Sequence, residues 1–371
     1  MDTATVTGGL SEEERKLLTE VGYEPDAHRS GTYVLVNQEV RHTAVSDDGV
    51  EVLSLKDALN KHDWVQDLMF GLIDPQENDH VRQVAEQMHD PVGHFIHVRE
   101  GAKVKLPVQS FSLLETPQGR QYTHDLTVID AGAEVEMISG AAVPPNVHAG
   151  HHISIDETYV RAGAVCRSLS IEHWGTGMEV HSYGRTQIDK GAHVSGKQVQ
   201  MTPIRHHAGQ SKTYIGEDAR YNEQAIMFAP EGTERVVDSE IHLKASGAHA
   251  ESLARMVTAG GTIINKAMLV GDSAGVSGFL GCDGLKLSDD GEVLSIPALK
   301  ANAAEAQLSH EASVGMIGAD KMAYLMATGM TDDAARDLII QGFLHLNEQN
   351  LPAVIRASVE EMIAKAKSGA M

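Results

Sequence analysis

The sequence predicts a mainly β fold, a β-solenoid whose stacked coils are flanked by helical segments at both ends. Three observations lead to this prediction. Short alternating strands fill the middle of the chain, small turn residues recur there at a nearly constant spacing, and both ends show helical periodicity instead. The composition agrees, because only 4% of the residues are aromatic while 35 glycines are available for tight turns.

Residues 1–93 are predicted to form an N-terminal helical and mixed region. Ser11 and Glu14 have the spacing of a capping box, which indicates the start of a helix. A packing role is the simplest interpretation of this region. Two more helices are expected in this region. One should follow Ser54, with apolar positions through Leu72, and the other should cover residues 79–89.

Residues 94–317 are predicted to be the solenoid core. Pairs of turn residues recur in this region at successive spacings of 31, 28, 27 and 29 residues, and later glycines follow at about half that period. One coil cannot bury its inward side chains alone, whereas a stack of coils buries a continuous column. The turn pairs are Gly132-Ala133, Gly163-Ala164, Gly191-Ala192, Asp218-Ala219 and Gly247-Ala248, and the later glycines are Gly261, Gly275 and Gly291.

Residues 318–371 are predicted to be helical again. A short helix over residues 319–328 should stop at Gly329, a second helix should be capped by Thr331, and a last one should begin at Pro352. Such an appendage would either cap the open end of the solenoid or offer a docking face to another protein.

The charge and the cysteine content limit the function classes. The chain has 52 acidic against 30 basic side chains, a formal net charge of −22, which argues against nucleic acid as a partner. We expect no signal segment and no membrane span, because no apolar run is long enough. Only Cys166 and Cys282 are present, so a disulfide framework is excluded and a cytoplasmic location is expected.

The chain has no Walker A motif. The nearest segment, residues 261–266, lacks the required glycine and Ser/Thr, so ATP hydrolysis by this chain itself is not expected.

Cys282 is a candidate metal ligand. It precedes His310 by 28 residues, about one coil, and residues one coil apart lie on neighbouring strands about 5 Å apart. Cys282, His310 and Glu311 could therefore cluster, and a thiolate, an imidazole and a carboxylate are suitable ligands for iron. The alternative is that Cys282 is a small core residue.

Two enzyme alternatives stay open. His148, His151, His152 and Glu157 loosely resemble the ligand spacing of a cupin-like metal enzyme, since alternate strand residues point the same way. A carbohydrate-active β-solenoid enzyme would use paired carboxylates such as Asp289 and Asp290, but it predicts an aromatic groove that this composition does not favour.

Five segments between residues 281 and 343 form an ordered set of motifs. They read Gly281-Cys-Asp-Gly-Leu-Lys-Leu, Ser295-Ile-Pro-Ala-Leu, Leu308-Ser-His-Glu-Ala-Ser-Val-Gly-Met-Ile, Tyr324-Leu-Met-Ala-Thr-Gly-Met and Leu338-Ile-Ile-Gln-Gly-Phe. Together they resemble the core domain of the SufB/SufD family of iron-sulfur cluster assembly proteins. The resemblance extends more weakly over residues 95–345.

The resemblance implies a right-handed parallel β-helix that pairs with a second copy and binds a SufC-like ABC ATPase through the C-terminal helices. It also implies that Cys282 is the cysteine of SufB-like scaffolds, and that His310 and Glu311 are the associated His-Glu pair. The chain is then expected to be an assembly scaffold and not an enzyme, and ATP would act only through the partner.

From the resemblance and the single cysteine at this site we expect two scaffold chains and two ATPase subunits, with one cluster at the two-fold seam. A [4Fe–4S] cluster is expected, with [2Fe–2S] as the alternative, received from a sulfur donor and passed to recipient apoproteins. For Cys166 we favour core packing over a role as a sulfur station inside the solenoid.

Overall fold

A computed structural model describes residues 8–344, and its N-terminal part contains three helices and three strands. Helix α1 spans Glu12–Thr19 and is followed by β1 (Gly31–Val36), β2 (Glu39–Val45), β3 (Val50–Ser54), α2 (Leu55–Lys61) and α3 (Asp79–Ala85). Two short 3₁₀ helices cover Asp26–His28 and Asp63–Val65.

Sixteen strands and two helices follow. The strands are β4 (His94–Val98), β5 (Val108–Leu113), β6 (Arg120–Ile129), β7 (Glu134–Ala142), β8 (Ala149–Val160), β9 (Val165–His173), β10 (Gly177–Ile188), β11 (His193–Gln200), β12 (His206–Ile215), β13 (Arg220–Pro230), β14 (Glu234–Leu243), β15 (His249–Ala259), β16 (Thr262–Gly271), β17 (Ser277–Lys286), β18 (Glu292–Ala301) and β19 (Gln307–Met316). The helices are α4 (Ala319–Ala327) and α5 (Asp332–Leu344).

The strands build two facing sheets. From β4 onward, even-numbered strands join the nine-stranded sheet and odd-numbered strands join the ten-stranded sheet. Each coil therefore gives one strand to each sheet and pairs in parallel with the coils on either side, as β8, β10 and β12 do. The protein is a parallel β-solenoid of about 8 turns, which confirms the predicted fold class.

The strand register reproduces the predicted repeat. Glu134 pairs with Val165, and the register continues through His193, Arg220 and His249. Each of these residues comes directly after one of the turn pairs, so the steps of the register equal the turn spacings. Each turn pair begins with a residue of positive φ, a conformation that glycine adopts without strain. The φ values are 66° at Gly132, Gly163 and Gly191, 53° at Asp218 and 74° at Gly247.

One aliphatic residue per coil fills the interior beside the turns. Each member of this column is the register partner of the next and is almost completely buried. Burying one such side chain contributes about 1.5–3 kcal/mol, so the column stabilises every coil contact along the stack. Its members include Val98, Ile129, Val160, Ile188, Ile215 and Leu243.

The N-terminal helices begin where predicted, but two of them end early. The capping box of Ser11 and Glu14 is present. Helix α2 stops at Lys61, because His62 has extended backbone angles, yet Leu68 and Leu72 still pack against the sheet from the following turns. Helix α3 ends at Ala85, not at residue 89.

The N-terminal region is joined to the stack by backbone pairing. Strand β1 lies parallel to β5, and β3 lies antiparallel to β4. Strand β4 begins at His94, the predicted start of the core. The three-part division at residues 93 and 317 stays a prediction.

The described C-terminal helices agree with the sequence. Gly329 has a φ of 99° after α4, and the Thr331 hydroxyl accepts a hydrogen bond from the Ala334 amide at the start of α5. Ile340 and Leu344 of α5 pack on the outer face of the ten-stranded sheet. The helix expected from Pro352 lies outside the described residues. Within residues 8–344, no helix is long and apolar enough to cross a membrane.

Candidate functional site

A cavity of about 420 Å³ lies inside the solenoid, between the two sheets. Its lining runs from His94 on β4 to Cys282 on β17 and is rich in serine and threonine hydroxyls. Both cysteines line it, and both are free thiols. The interior is therefore aliphatic beside the turns, whereas hydroxyl groups and aliphatic side chains are mixed along its centre.

Cys282 faces this interior and is 2% exposed. Its Sγ atom accepts a hydrogen bond from Asn265 Nδ2 at 3.4 Å. Burial raises the pKa of the Cys282 thiol, while the hydrogen bond from Asn265 acts in the opposite direction. The thiol is consequently protonated near neutrality, and a metal ion that binds it must displace the proton.

The register places His310 and Glu311 differently from the sequence-based expectation. The strand partner of Cys282 is Ala312, whereas His310 is the partner of Leu280. This coil spans 30 residues, two more than the 28 that separate Cys282 from His310. His310 is thus displaced by two positions from Cys282 along the neighbouring strand, on the same face of the sheet.

Glu311 lies on the other face. Its strand partner is Gly281, and a Cβ atom at Gly281 would contact Leu253 and Phe279 on the outer side of the sheet. Because neighbouring strand residues alternate between faces, Cys282 and Glu311 point to opposite sides within one chain. His310 and Glu311 are both exposed.

The exposure of this coil follows from its position at the end of the stack. Strands β18 and β19 are the terminal strands of their sheets, so the backbone groups on their outer edges have no further described coil to pair with. Several large apolar side chains are exposed on these two edge strands. They are Leu294, Ile296 and Leu299 on β18, and Val314 and Met316 on β19.

The C-terminal helices expose apolar side chains too. Tyr324 and Met326 on α4, Met330 in the following turn and Leu338 on α5 are all exposed, and Tyr324 is 71% exposed. Large exposed apolar patches are typical of protein interaction surfaces.

Charged groups are concentrated at the other end of the cavity. His94 Nδ1 lies 3.0 Å from Asp125, and Asp125 is the strand partner of Asp156. Burial, followed by the charge of Asp125, raises the pKa of Asp156 to about 7. Burial alone would lower the pKa of His94. The charge and the hydrogen bond of Asp125 outweigh this effect, so the pKa of His94 is raised.

Sequence reasoning missed this group, although a signal was present. Asp125 and Asp156 are separated by one coil length, the same spacing that separates the turn pairs at Gly132 and Gly163. Two polar residues separated by one coil length lie side by side on one face.

Cys166 packs in the main core cluster while its thiol borders the cavity. Burial raises the pKa of this thiol to about 12. This environment fits the packing interpretation, because the group stays protonated and weakly nucleophilic at physiological pH.

The four residues of the cupin-like alternative do not come together. His152 points inward and contacts Gln121, while Glu157 is buried and accepts hydrogen bonds from the backbone amides of Phe70 and Leu72. His151 points outward and His148 is exposed. The carboxylates of the carbohydrate-enzyme alternative, Asp289 and Asp290, are exposed in the turn after β17.

Comparison with known proteins gives one consistent family. Residues 112–343 match the model described as SUF system FeS cluster assembly, SufBD core domain. An iron-sulfur cluster assembly SufBD family protein of Archaeoglobus fulgidus is 31% identical over 357 residues, 95% of each chain.

Two further relatives point to the same family. A SufBD family protein of Methanothermobacter thermautotrophicus is 26% identical over 365 residues, which cover 97% of this chain and 89% of the relative. The iron-sulfur cluster assembly protein SufB of Bacillus subtilis is 24% identical over 277 residues, 73% of this chain and 59% of that protein. The matched model covers most of this chain and the Archaeoglobus relative nearly all of it, so the chain belongs to the SufBD family of iron-sulfur cluster assembly proteins.

Proposed function

We propose that this protein is a scaffold on which iron-sulfur clusters are assembled at the interface of two copies, with Cys282, His310 and Glu311 as ligands. The observation that carries the proposal is the position of these residues at the open end of the stack. The last coil holds His310 and Glu311 in exposed positions, and the Cys282 thiol lies one strand below.

A second copy would complete the ligand set. One chain offers one thiol here, which cannot satisfy the four irons of a [4Fe–4S] cluster. A two-fold interface repeats each residue, so two copies would bring two Cys282 thiols with their neighbouring imidazoles and carboxylates. Because Glu311 faces away from Cys282 within one chain, ligation of one cluster by both residues requires groups from both copies or a rearrangement of β19.

The edge strands support such a homodimer. Strands β18 and β19 each present ten residues with an unpaired outer edge among the described residues. Long edges with apolar side chains associate readily unless they are covered. Pairing edge to edge would continue both sheets across the seam and bury the apolar side chains of the last coil.

A SufC-like ABC ATPase is proposed as the second partner. The exposed apolar side chains of α4 and α5 offer a docking surface, and α5 also packs on the sheet that carries Cys282. Movement of these helices on ATP binding would then reach the site through Leu285, which packs in the same cluster as Ile340. The complex would contain two scaffold chains and two ATPase subunits.

The finer assignments follow from the same proposal. The cluster would be [4Fe–4S], with [2Fe–2S] as the alternative, and the chain would act without catalysing a reaction of its own. Sulfur would come from a separate donor and the cluster would pass to recipient apoproteins. Two free buried thiols fit a reducing cytoplasm.

The test is anaerobic reconstitution with iron and sulfide, read out by Mössbauer spectroscopy and by counting iron and sulfide per dimer. We expect about one cluster per dimer in the wild type and none in Cys282→Ser. Cys166→Ser is the matched control and should keep its cluster. A cluster that persists in Cys282→Ser would contradict the assignment.

The dimer has its own test. Ile296→Lys combined with Val314→Lys should yield monomers in sedimentation velocity, because charges on both edges oppose pairing. Val40→Lys is the control, since Val40 is similarly exposed on β2 at the opposite end of the same sheet as β19. A double variant that sediments like the wild type would exclude the edge-strand interface.

The ATPase surface is tested by co-purification with the SufC-like subunit of the same organism. Tyr324→Asp should abolish the complex, whereas Met88→Asp, an exposed position in the N-terminal region, should not. Retention of the ATPase by Tyr324→Asp would show that the complex does not depend on this side chain.

A further inference from the structure

Three histidines from three elements meet on the outer face of the nine-stranded sheet. His80 lies on α3, His151 on β8 and His181 on β10, and one ring nitrogen of each lies within 4.8 Å of the other two. The rings of His80 and His181 are 3.8 Å apart between centroids. Of these three histidines, only His151 belongs to the cupin-like set recognised in the sequence.

We propose that His80, His151 and His181 form a site for a single divalent transition-metal ion of the zinc type, with water as the fourth ligand. Three imidazoles with one open position are an established ligand set for tetrahedral Zn²⁺. The site is separate from the proposed cluster site, because the Cys282 thiol faces the interior while these histidines face outward.

An unsatisfied nitrogen supports the proposal. The Nε2 atom of His151 is buried and has no hydrogen-bond partner among the described residues. A buried polar atom without a partner costs about 1–3 kcal/mol. A metal ion between the three rings would give this nitrogen a partner, whereas the surrounding described side chains do not.

The neighbouring polar groups have the arrangement of an outer ligand shell. His80 Nδ1 lies 2.9 Å from the Tyr183 hydroxyl, which leaves Nε2 of the same ring for a metal. His181 Nε2 lies 3.3 Å from Glu179, which also pairs with Arg205. Such second contacts fix the orientation and tautomer of ligating histidines.

The site would fasten the N-terminal region to the solenoid. Helix α3 has only seven residues and is too short to be stable by itself. A metal ion would link His80 on this helix to His151 and His181, which lie much later in the chain on two neighbouring strands. Ligands that come together only in the folded chain convert binding free energy into folding free energy.

The experiment is a titration of the metal-free, full-length protein with Co²⁺, whose visible absorption reports tetrahedral coordination. We expect one equivalent to bind to the wild type and to be displaced by Zn²⁺. His181→Gln and His80→Gln should each weaken binding at least about 100-fold, because each removes a ligand.

Two controls distinguish this site from other metal ligands. His206 lies beside His181, with ring centroids 5.5 Å apart, but its Nδ1 bonds to Glu234 at 2.7 Å, so His206→Gln should bind Co²⁺ like the wild type. Cys282→Ser should also bind like the wild type and show the same spectrum, which separates this proposal from the cluster site.

Thermal unfolding supplies a second readout. Zn²⁺ should raise the melting temperature of the wild type and of His206→Gln, but not that of His80→Gln. Circular dichroism establishes that each variant is folded before titration. The proposal is overturned if the folded wild type binds no Co²⁺, or if His80→Gln and His181→Gln bind it as the wild type does.

Discussion

The Sγ atom of Cys282 lies 3.4 Å from the side-chain nitrogen of Asn265, which faces it from the opposite sheet. The amide donates to the sulfur and therefore favours the thiolate, against the burial that raises the thiol pKa. The Cys282 sulfur therefore accepts its hydrogen bond from a neutral amide and not from a cationic side chain.

Replacing Asn265 by leucine, which has a similar volume, should raise the pKa of Cys282 further, because it removes the donor that favours the thiolate. The measurement is ultraviolet thiolate absorbance against pH in a Cys166→Ala background, so that one thiol reports. Asn222→Leu, at an exposed position on β13, is the control. An unchanged or lowered pKa in Asn265→Leu would show that the amide does not stabilise the thiolate.

Asp156→Asn should change how stability depends on pH. The pKa of Asp156 is about 7 in the folded protein, raised by burial and then by Asp125, and is near 3.8 in a free side chain. The folded state therefore holds a proton that the unfolded state releases, and the contribution of Asp156 to stability falls as pH rises from about 4 to 7. The asparagine variant lacks this proton, so it should gain up to about 4 kcal/mol relative to the wild type between pH 4 and pH 8.

Urea unfolding at the two pH values measures this difference. Glu100→Gln, which changes an exposed carboxylate, serves as the control and should follow the wild type at both pH values. Parallel stability curves for Asp156→Asn and the wild type would refute the assignment of a buried, protonated carboxyl.

Glu157→Gln should destabilise the protein. The carboxylate accepts hydrogen bonds from the amides of Phe70 and Leu72 at 2.6 Å each, and His124 Nε2 lies 2.8 Å from it. Loss of a buried charged acceptor should lower the free energy of unfolding by about 2–3 kcal/mol. Exposed Glu136→Gln should have no comparable effect, and equal denaturation midpoints for both variants would contradict the structural role of Glu157.

Gly93→Ala should be among the most damaging small substitutions. Gly93 has a φ of 147°, and a Cβ atom there would lie 2.0 Å from the carbonyl oxygen of His124. Backbone must move to relieve this contact, so we expect a loss of about 3 kcal/mol in the free energy of unfolding. At Gly184, a Cβ atom would meet only the Cβ of Ser211 at 3.8 Å, so Gly184→Ala should be tolerated. A similar melting temperature for both variants would count against this explanation.

The solenoid could be predicted from sequence because its turns repeat. Each turn pair contains a residue of positive φ, and four of the five pairs have glycine there, so the conformational requirement is visible in the sequence. The boundary of α2 could not be predicted in the same way. Leu68 and Leu72 continue the apolar pattern because they pack on the sheet, although the backbone there is no longer helical.

The geometry of the candidate site was predicted only in part, for a similar reason. The spacing between Cys282 and His310 matches the average coil, but this particular coil is longer, because the register pairs Cys282 with Ala312. A register shift of one position would have placed His310 on the opposite face of the sheet from Cys282. The observed shift of two positions keeps His310 on the same face and moves it along the strand. The meeting of His80 with His151 depends on how α3 lies against the sheet, and no periodic pattern encodes that contact.

The unequal neighbours of the last coil imply a gradient of local stability along the stack. Interior coils are bonded on both sides, but β18 and β19 are bonded on one side only within the described residues. In stacked repeats the terminal unit opens at the lowest free energy. Amide hydrogens of β19 should therefore exchange with solvent faster than those of β17, and each opening would briefly uncover the otherwise enclosed Cys282 sulfur to incoming reagents.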